Sequence, residues 1–274
     1  MLAGAVGATA ASDALGAFPY TRPGGNPTNY QDLFLTNQVP NDLGGDGNTF
    51  KFASTPDSSN GPNINSNPVE LGGVRGAHLA DATTSAPQAV QTTLGRPDVS
   101  IAVLDSGIKW NDAGAMNDLR LKIRLNRNEL PKPQADLGTA ISDPGQNDCS
   151  TYDTTAYDAN DDGAFNIDDY ACDSRVANVL QNDSRRVGPT DVLVPQDIII
   201  AFSDGFDGVG SNSEGNGFVD DIAGWDFLDN DNDPFDDVQY GHGTGEASDS
   251  SSEADNGGQM GSCPNCMVLP LRVG

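Results

Sequence analysis

Ile101-Ala102-Val103-Leu104 runs directly into Asp105-Ser106-Gly107, and no other stretch restricts the fold of this chain as tightly. Four apolar residues bounded by turn formers read as a short strand. The lack of polar alternation predicts burial on both faces, as in a parallel sheet covered by helices. Such sheets carry their chemistry at the carboxyl ends of the strands, where Asp105 falls. Ile222-Ala223-Gly224-Trp225-Asp226-Phe227 and Met267 to Val273 read as further short strands, with Trp225 and Phe227 in the core. Leu119 to Leu125 alternates apolar and polar residues, the pattern of a half-exposed strand, and Asp197 to Phe202 resumes a core-like pattern. The fold class is α/β.

Charge narrows the partners. The 274 residues hold 14 basic and 40 acidic side chains, a net charge of −26. That surface repels nucleic acid and anionic membranes, and it attracts divalent cations or demands salt. No apolar stretch approaches the roughly 20 residues of a membrane span. The small residues of Met1 to Ala11 read either as the remnant of a secretory signal or as a disordered start. Residues 1–65, rich in Gly, Pro, Asn and Thr, read as an extended or partly disordered segment, ahead of a second unit over 66–274. Within that unit, Ala86 to Gln91 reads as a short helix, Thr83-Thr84-Ser85 as its N-cap, and His78 as structural.

Four cysteines in a loop-rich acidic chain favour two disulfides and an oxidising compartment. Local pairing, 149 with 172 and 263 with 266, is the simplest connectivity. A zinc or redox role for Cys263-Pro264-Asn265-Cys266 is the alternative.

His242 lies 137 residues beyond Asp105, in Gly241-His242-Gly243-Thr244. A serine hydrolase needs a base for its nucleophile and a carboxylate that fixes the tautomer of that base, and His242 and Asp105 are of the right kinds. The text around them is specific. Asp98 to Ile108 resembles the Asp motif of the subtilisin-like serine peptidases, the subtilases. Asn216 to Phe227 leading to Gly241-His242-Gly243-Thr244 is similar to the approach to their His motif, and Met267 to Val273 to the strand that follows. The resemblance covers residues 66–274 apart from an insertion at about 132–200 that loops out of the core. It implies a subtilisin-like parallel sheet with flanking helices, a helix starting at His242, and a secreted endopeptidase acting on proteins or peptides. Two departures stand out. Gly245 and Glu246 replace the usual residues of the His motif. The nucleophilic Ser and oxyanion Asn have no counterpart, so the sheet is expected to be incomplete at its carboxyl end and the chain inactive by itself.

Calcium is the second expectation. Asp158 to Asp169 fits the EF-hand loop spacing, with ligands Asp158, Asn160, Asp162, the carbonyl of Ala164, and Asp169, and with Gly163 at the turn. Asp at the last position is how dockerin-type loops read. A second loop resembles a calcium-dependent loop of some subtilases, which implies Asn212, Glu214, Asn216 and Asp220 as ligands. Asp229 to Asp233 reads as a solvated turn. The rival to the peptidase is a non-catalytic calcium-binding or adhesive extracellular protein derived from a subtilase.

Overall fold

The computed structural model describes residues 95–141, 148–203, 215–238, 240–253 and 261–274. The expectations for residues 1–94, and for Asn212 and Glu214, lie outside these. Strand β1 (Ser100–Asp105) pairs in parallel with β3 (Met267–Arg272), which pairs in parallel with the two-residue β2 (Trp225–Asp226). The sheet order is therefore β1-β3-β2, with Asp105 beside Arg272 at the carboxyl end. Among the helices, α1 (Ala113–Leu119) packs on α4 (His242–Ser251), and α4 packs on both β1 and β3. Also among the described residues, α2 (Ser174–Asn182) and α3 (Pro195–Phe202) pack on each other. The architecture is a mixture of helices with a small parallel sheet, an α/β arrangement.

Local chemistry explains the helix starts. The Asp112 carboxylate accepts the N–H groups of Gly114 and Ala115 at the head of α1, satisfying donors the helix cannot pair. In α3, Pro195 takes the first turn and Asp197 accepts the Val194 N–H at 2.8 Å. The core-like run at Asp197 to Phe202 is thus helical, with Ile198 and Ile199 fully buried.

β1 differs from the expected strand buried on both faces. Its exposure alternates, and Leu104 is 61% exposed. A run apolar on both faces hides which face is covered. Here Val103 packs against the core while Ala102 and Leu104 stay open.

The strand expected over Leu119 to Leu125 is also absent. Leu119 ends α1, and only Ile123 bridges the sheet, opposite Val268. Arg120 and Lys122, expected on an exposed face, are buried by ion pairs to Asp168 (2.9 Å) and Glu253 (2.7 Å). This bridge explains how the central strand tolerates Pro270. Val268 donates to the Lys122 carbonyl and accepts from the Arg124 N–H, and pairing on that side resumes only where β2 faces Leu271 and Arg272. Pro270, which has no N–H, falls at the seam between the two pieces. Likewise the strand expected over Ile222 to Phe227 shrinks to β2. Trp225 is buried, but Phe227 is 49% exposed and edges onto Phe218.

The described residues between 132 and 200 do not all loop out of the core. Ile167, Tyr170, Val176, Leu193 and Ile198 share one buried cluster with Met116, Ile123 and Val268. A disulfide joins Cys149 to Cys172 and another joins Cys263 to Cys266. In this form the latter pair carries no thiolate for zinc. Among the described residues no helix is long and apolar enough to cross a membrane.

The buried Lys122–Glu253 pair yields a stability test. Lys122→Met is expected to destabilise by about 3 kcal/mol or more in urea unfolding, because it leaves the Glu253 charge buried. Adding Glu253→Leu should recover much of that loss.

Candidate functional site

The carboxyl end of β1 is shaped by backbone contacts. Asp105 Oδ1 accepts the N–H of Ser106 at 2.7 Å, and the chain turns at Gly107 with φ +91°. A Cβ on Gly107 would lie 2.5 Å from the Pro234 carbonyl oxygen, so only glycine fits. The N–H of Ile108 then donates to Pro234, and the Asp236 N–H donates to Ile108, binding the approach to α4 alongside the exit from β1.

Each residue of Gly241-His242-Gly243-Thr244 has a visible role. Gly241 is the left-handed residue that starts α4, with φ +71°. Gly243 seats the helix on the strand end, where a Cβ would lie 2.5 Å from the Gly107 carbonyl oxygen and 3.1 Å from Asp105 Cβ. The Thr244 hydroxyl accepts the Lys109 N–H at 2.9 Å. Between the glycines, His242 Nδ1 stands 2.9 and 2.8 Å from the two oxygens of Asp105. Both oxygens are acceptors, so Nδ1 carries the proton and a neutral ring keeps its lone pair on Nε2. Residues 137 positions apart in the sequence are thus brought into contact.

Two further groups meet the ring. Tyr240 stacks on it at 5.4 Å between centroids, and Glu246 Oε1 lies 3.7 Å from Nε2. The hydrogen bond and charge of Asp105, with a smaller push from Glu246, hold the imidazole above its usual titration range despite some desolvation. Chemically the arrangement is an oriented proton acceptor at a half-exposed position. In the sequence Glu246 stands out only as a departure from the His motif, and Tyr240 not at all. Glu246 was detectable, since it sits four residues after His242 on a helix. Gly245 faces open space, so no packing demand explains it.

The loop from Asp158 to Asp169 folds its carboxylates inward onto its own amides. Asp158 accepts the N–H groups of Asp162 (3.2 Å) and Gly163 (3.1 Å), and Asn160 Oδ1 also accepts that of Asp162. Asp162 accepts the Ala164 N–H, while Asp169 accepts those of Ala159 and Asn166. Asp161 and Gly163 take positive φ to allow the turn. Burial is the main cause that raises Asp162 to about 7 and Asp169 well above the ordinary 3.8, and repulsion between the neighbouring carboxylates adds to it. Asp168 is paired with Arg120. The donor set and its order suit a hard divalent cation. Among the described residues, however, no three His, Cys, Asp or Glu side chains already converge as a metal-holding group.

Of the second acidic loop, the described part begins at Gly215. Asn216 Oδ1 accepts the Phe218 N–H at 2.8 Å, and Asp220 is a buried residue with φ +53°. Nor is Asp229 to Asp233 simply a solvated turn. Asn232 and Asp233 are buried, and Asp233 accepts from Trp110 Nε1 and Gln196 Nε2.

No protein-family model matches the chain, and a search of curated proteins finds no match.

Two outcomes follow from the geometry. Gly243→Ala should lift α4 from the strand end, and the downfield Nδ1–H signal of His242 should vanish from the proton NMR spectrum. The raised imidazole makes a stabilising contribution that is fully present below the unfolded value of about 6.5 and lost as pH rises through the folded one. Asp105→Asn should therefore lower the His242 midpoint and remove that part of the pH dependence of melting.

Proposed function

We propose that this chain carries the Asp–His half of a subtilisin-like serine endopeptidase, that its acidic loop binds calcium, and that it works in an oxidising, extracellular setting. The observation carrying the reading is the doubly bonded Asp105–His242 contact at the carboxyl end of a parallel sheet. In this reading His242 Nε2 takes the proton of a serine hydroxyl as that oxygen attacks a peptide carbonyl. Asp105 holds the tautomer and stabilises the imidazolium, and His242 then protonates the leaving amine. The nucleophile and the oxyanion donors have no motif counterpart among these residues. The two disulfides support the setting, since such bonds persist outside the reducing cytosol. A second reading, a calcium-binding or adhesive protein that retains peptidase remnants, is favoured by one observation: Glu246 stands at Nε2, where a base would meet its proton. Reading the gene downstream of codon 274 separates the two. A Gly-Thr-Ser run within a further couple of hundred codons is expected, and a stop codon at once would favour the second.

Asp158, Asn160, Asp162 and Asp169, with the carbonyl of Ala164, would hold the calcium ion. When bound, the ion supplies the positive charge that lets these crowded carboxylates ionise together. Without it, Asp162 keeps its proton in the folded protein between about 3.8 and about 7, where the unfolded chain has released it. Stability of the chelated protein should therefore fall as pH rises through that window. Calcium should raise the melting temperature most at the upper end, and Asp158→Ala with Asp162→Ala should abolish most of the gain. An unchanged melting curve on chelation would overturn the calcium assignment.

A further inference from the structure

Both neighbours of His242 are tied to one buried carboxylate that the motifs do not include. Asp236 is fully buried, and its Oδ2 accepts two hydrogen bonds, from the Ser106 hydroxyl at 2.8 Å and from the Gly241 N–H at 2.9 Å. The Ser106 oxygen in turn accepts the Gly243 N–H at 3.0 Å. Ser106 is also the residue whose own N–H is held by Asp105 Oδ1. Asp236 thus reaches the residue before the imidazole directly and the residue after it through a single hydroxyl. Lys109 Nζ faces the other carboxylate oxygen at 3.7 Å and donates to the carbonyls of Asp236 and Val238. The Asp105–His242 contact is itself half-exposed and competes with water, whereas of the bonds beneath it the two made by the Ser106 hydroxyl are buried and costly to break.

We propose that Asp236 is a positioning residue for the Asp105–His242 pair, fixing through Gly241 and Ser106 the backbone from which Nδ1 meets both oxygens of Asp105. The inference rests on the reading of that pair as base and orienting carboxylate.

The chain has two histidines, so His78→Gln leaves a single imidazole to follow by NMR in the full 274-residue protein. The groups facing it are Asp105 from β1, Glu246 from α4 and the Tyr240 ring, with Lys109 on the far side of Asp236. In that background Asp236→Ala should lower the His242 midpoint toward that of a free imidazole and remove the downfield Nδ1–H signal. Asp236→Asn should preserve both, because its amide oxygen can accept the same two bonds. A merely structural carboxylate would lower the melting temperature and leave the imidazole alone, as expected for Asp233→Asn, which weakens the buried bonds to Trp110 and Gln196. Ser106→Ala cuts only the link to Gly243 and should shift the midpoint in the same direction by less, so the test survives if Asp236→Ala fails to fold. An unmoved imidazole in Ser106→Ala, or in folded Asp236→Ala, overturns the proposal. Asp105→Asn tells the two failures apart. If it moves the midpoint while the other variants do not, only the role of Asp236 is lost. If it too leaves the midpoint unmoved, the pair is absent and the proposal falls with it.

Discussion

Two backbones touching without side chains between them set the geometry of this protein. Gly243, in the first turn of α4, rests against Gly107 at the end of β1, with no space for a Cβ on either residue. That contact closes the distance between helix and strand end to what an imidazole and a carboxylate can bridge. It also aligns α4 over β1 and β3, and α1 packs on α4 in turn. A methyl group here would separate the layers, so the glycines are as much a part of the site as the two side chains that meet above them.

The second constraint is charge. A chain with 40 acidic and 14 basic side chains cannot pair its carboxylates one for one. Among the described residues, the cations with nearly buried side chains serve particular carboxylates. Arg120 meets Asp168, Lys122 meets Glu253, and Arg186 meets Asp197. Arg272 holds Asp226, Asp229 and Asp237 together at the carboxyl end of β3. Of these cations, Arg120 reaches the loop from Asp158 to Asp169, at Asp168. Asp158, Asp162 and Asp169 accept amide N–H groups and are raised by burial, a state that a divalent cation would relieve.

Around His242 the same excess of acid cuts two ways. Asp105 on Nδ1 orients the ring and favours its protonated form, which suits a base that must accept a proton. Glu246 on the Nε2 side favours protonation too, but from the face where a substrate proton would arrive. The balance between these carboxylates, both partly exposed, decides whether the imidazole is a working base or a resting cation.

Much of the site was legible in the one-dimensional text because its chemistry is local. An apolar run ending in Asp-Ser-Gly, a His between glycines, and oxygen donors at EF-hand spacing are each written within a dozen residues, and each arises from backbone demands that only certain residues meet. The packing around them was not legible. Leu104 lies open, Phe227 is half outside, and Arg120 and Lys122 are inside, because exposure depends on which distant element covers each face and which distant acid lies opposite. The same holds for residues 132–200, whose polar composition suggested an excursion although their aromatic and aliphatic side chains complete the core. Asp236 shows the divide most clearly. In the sequence it is one acid among many before the His motif, and only the folded chain, by bringing it beneath Ser106 and Gly241, sets it apart from the others. The sequence by itself determined which residues can do chemistry and where the backbone must turn. The tertiary structure alone decided which of them are buried and paired, because desolvation and ion pairing depend on distances that no local pattern encodes.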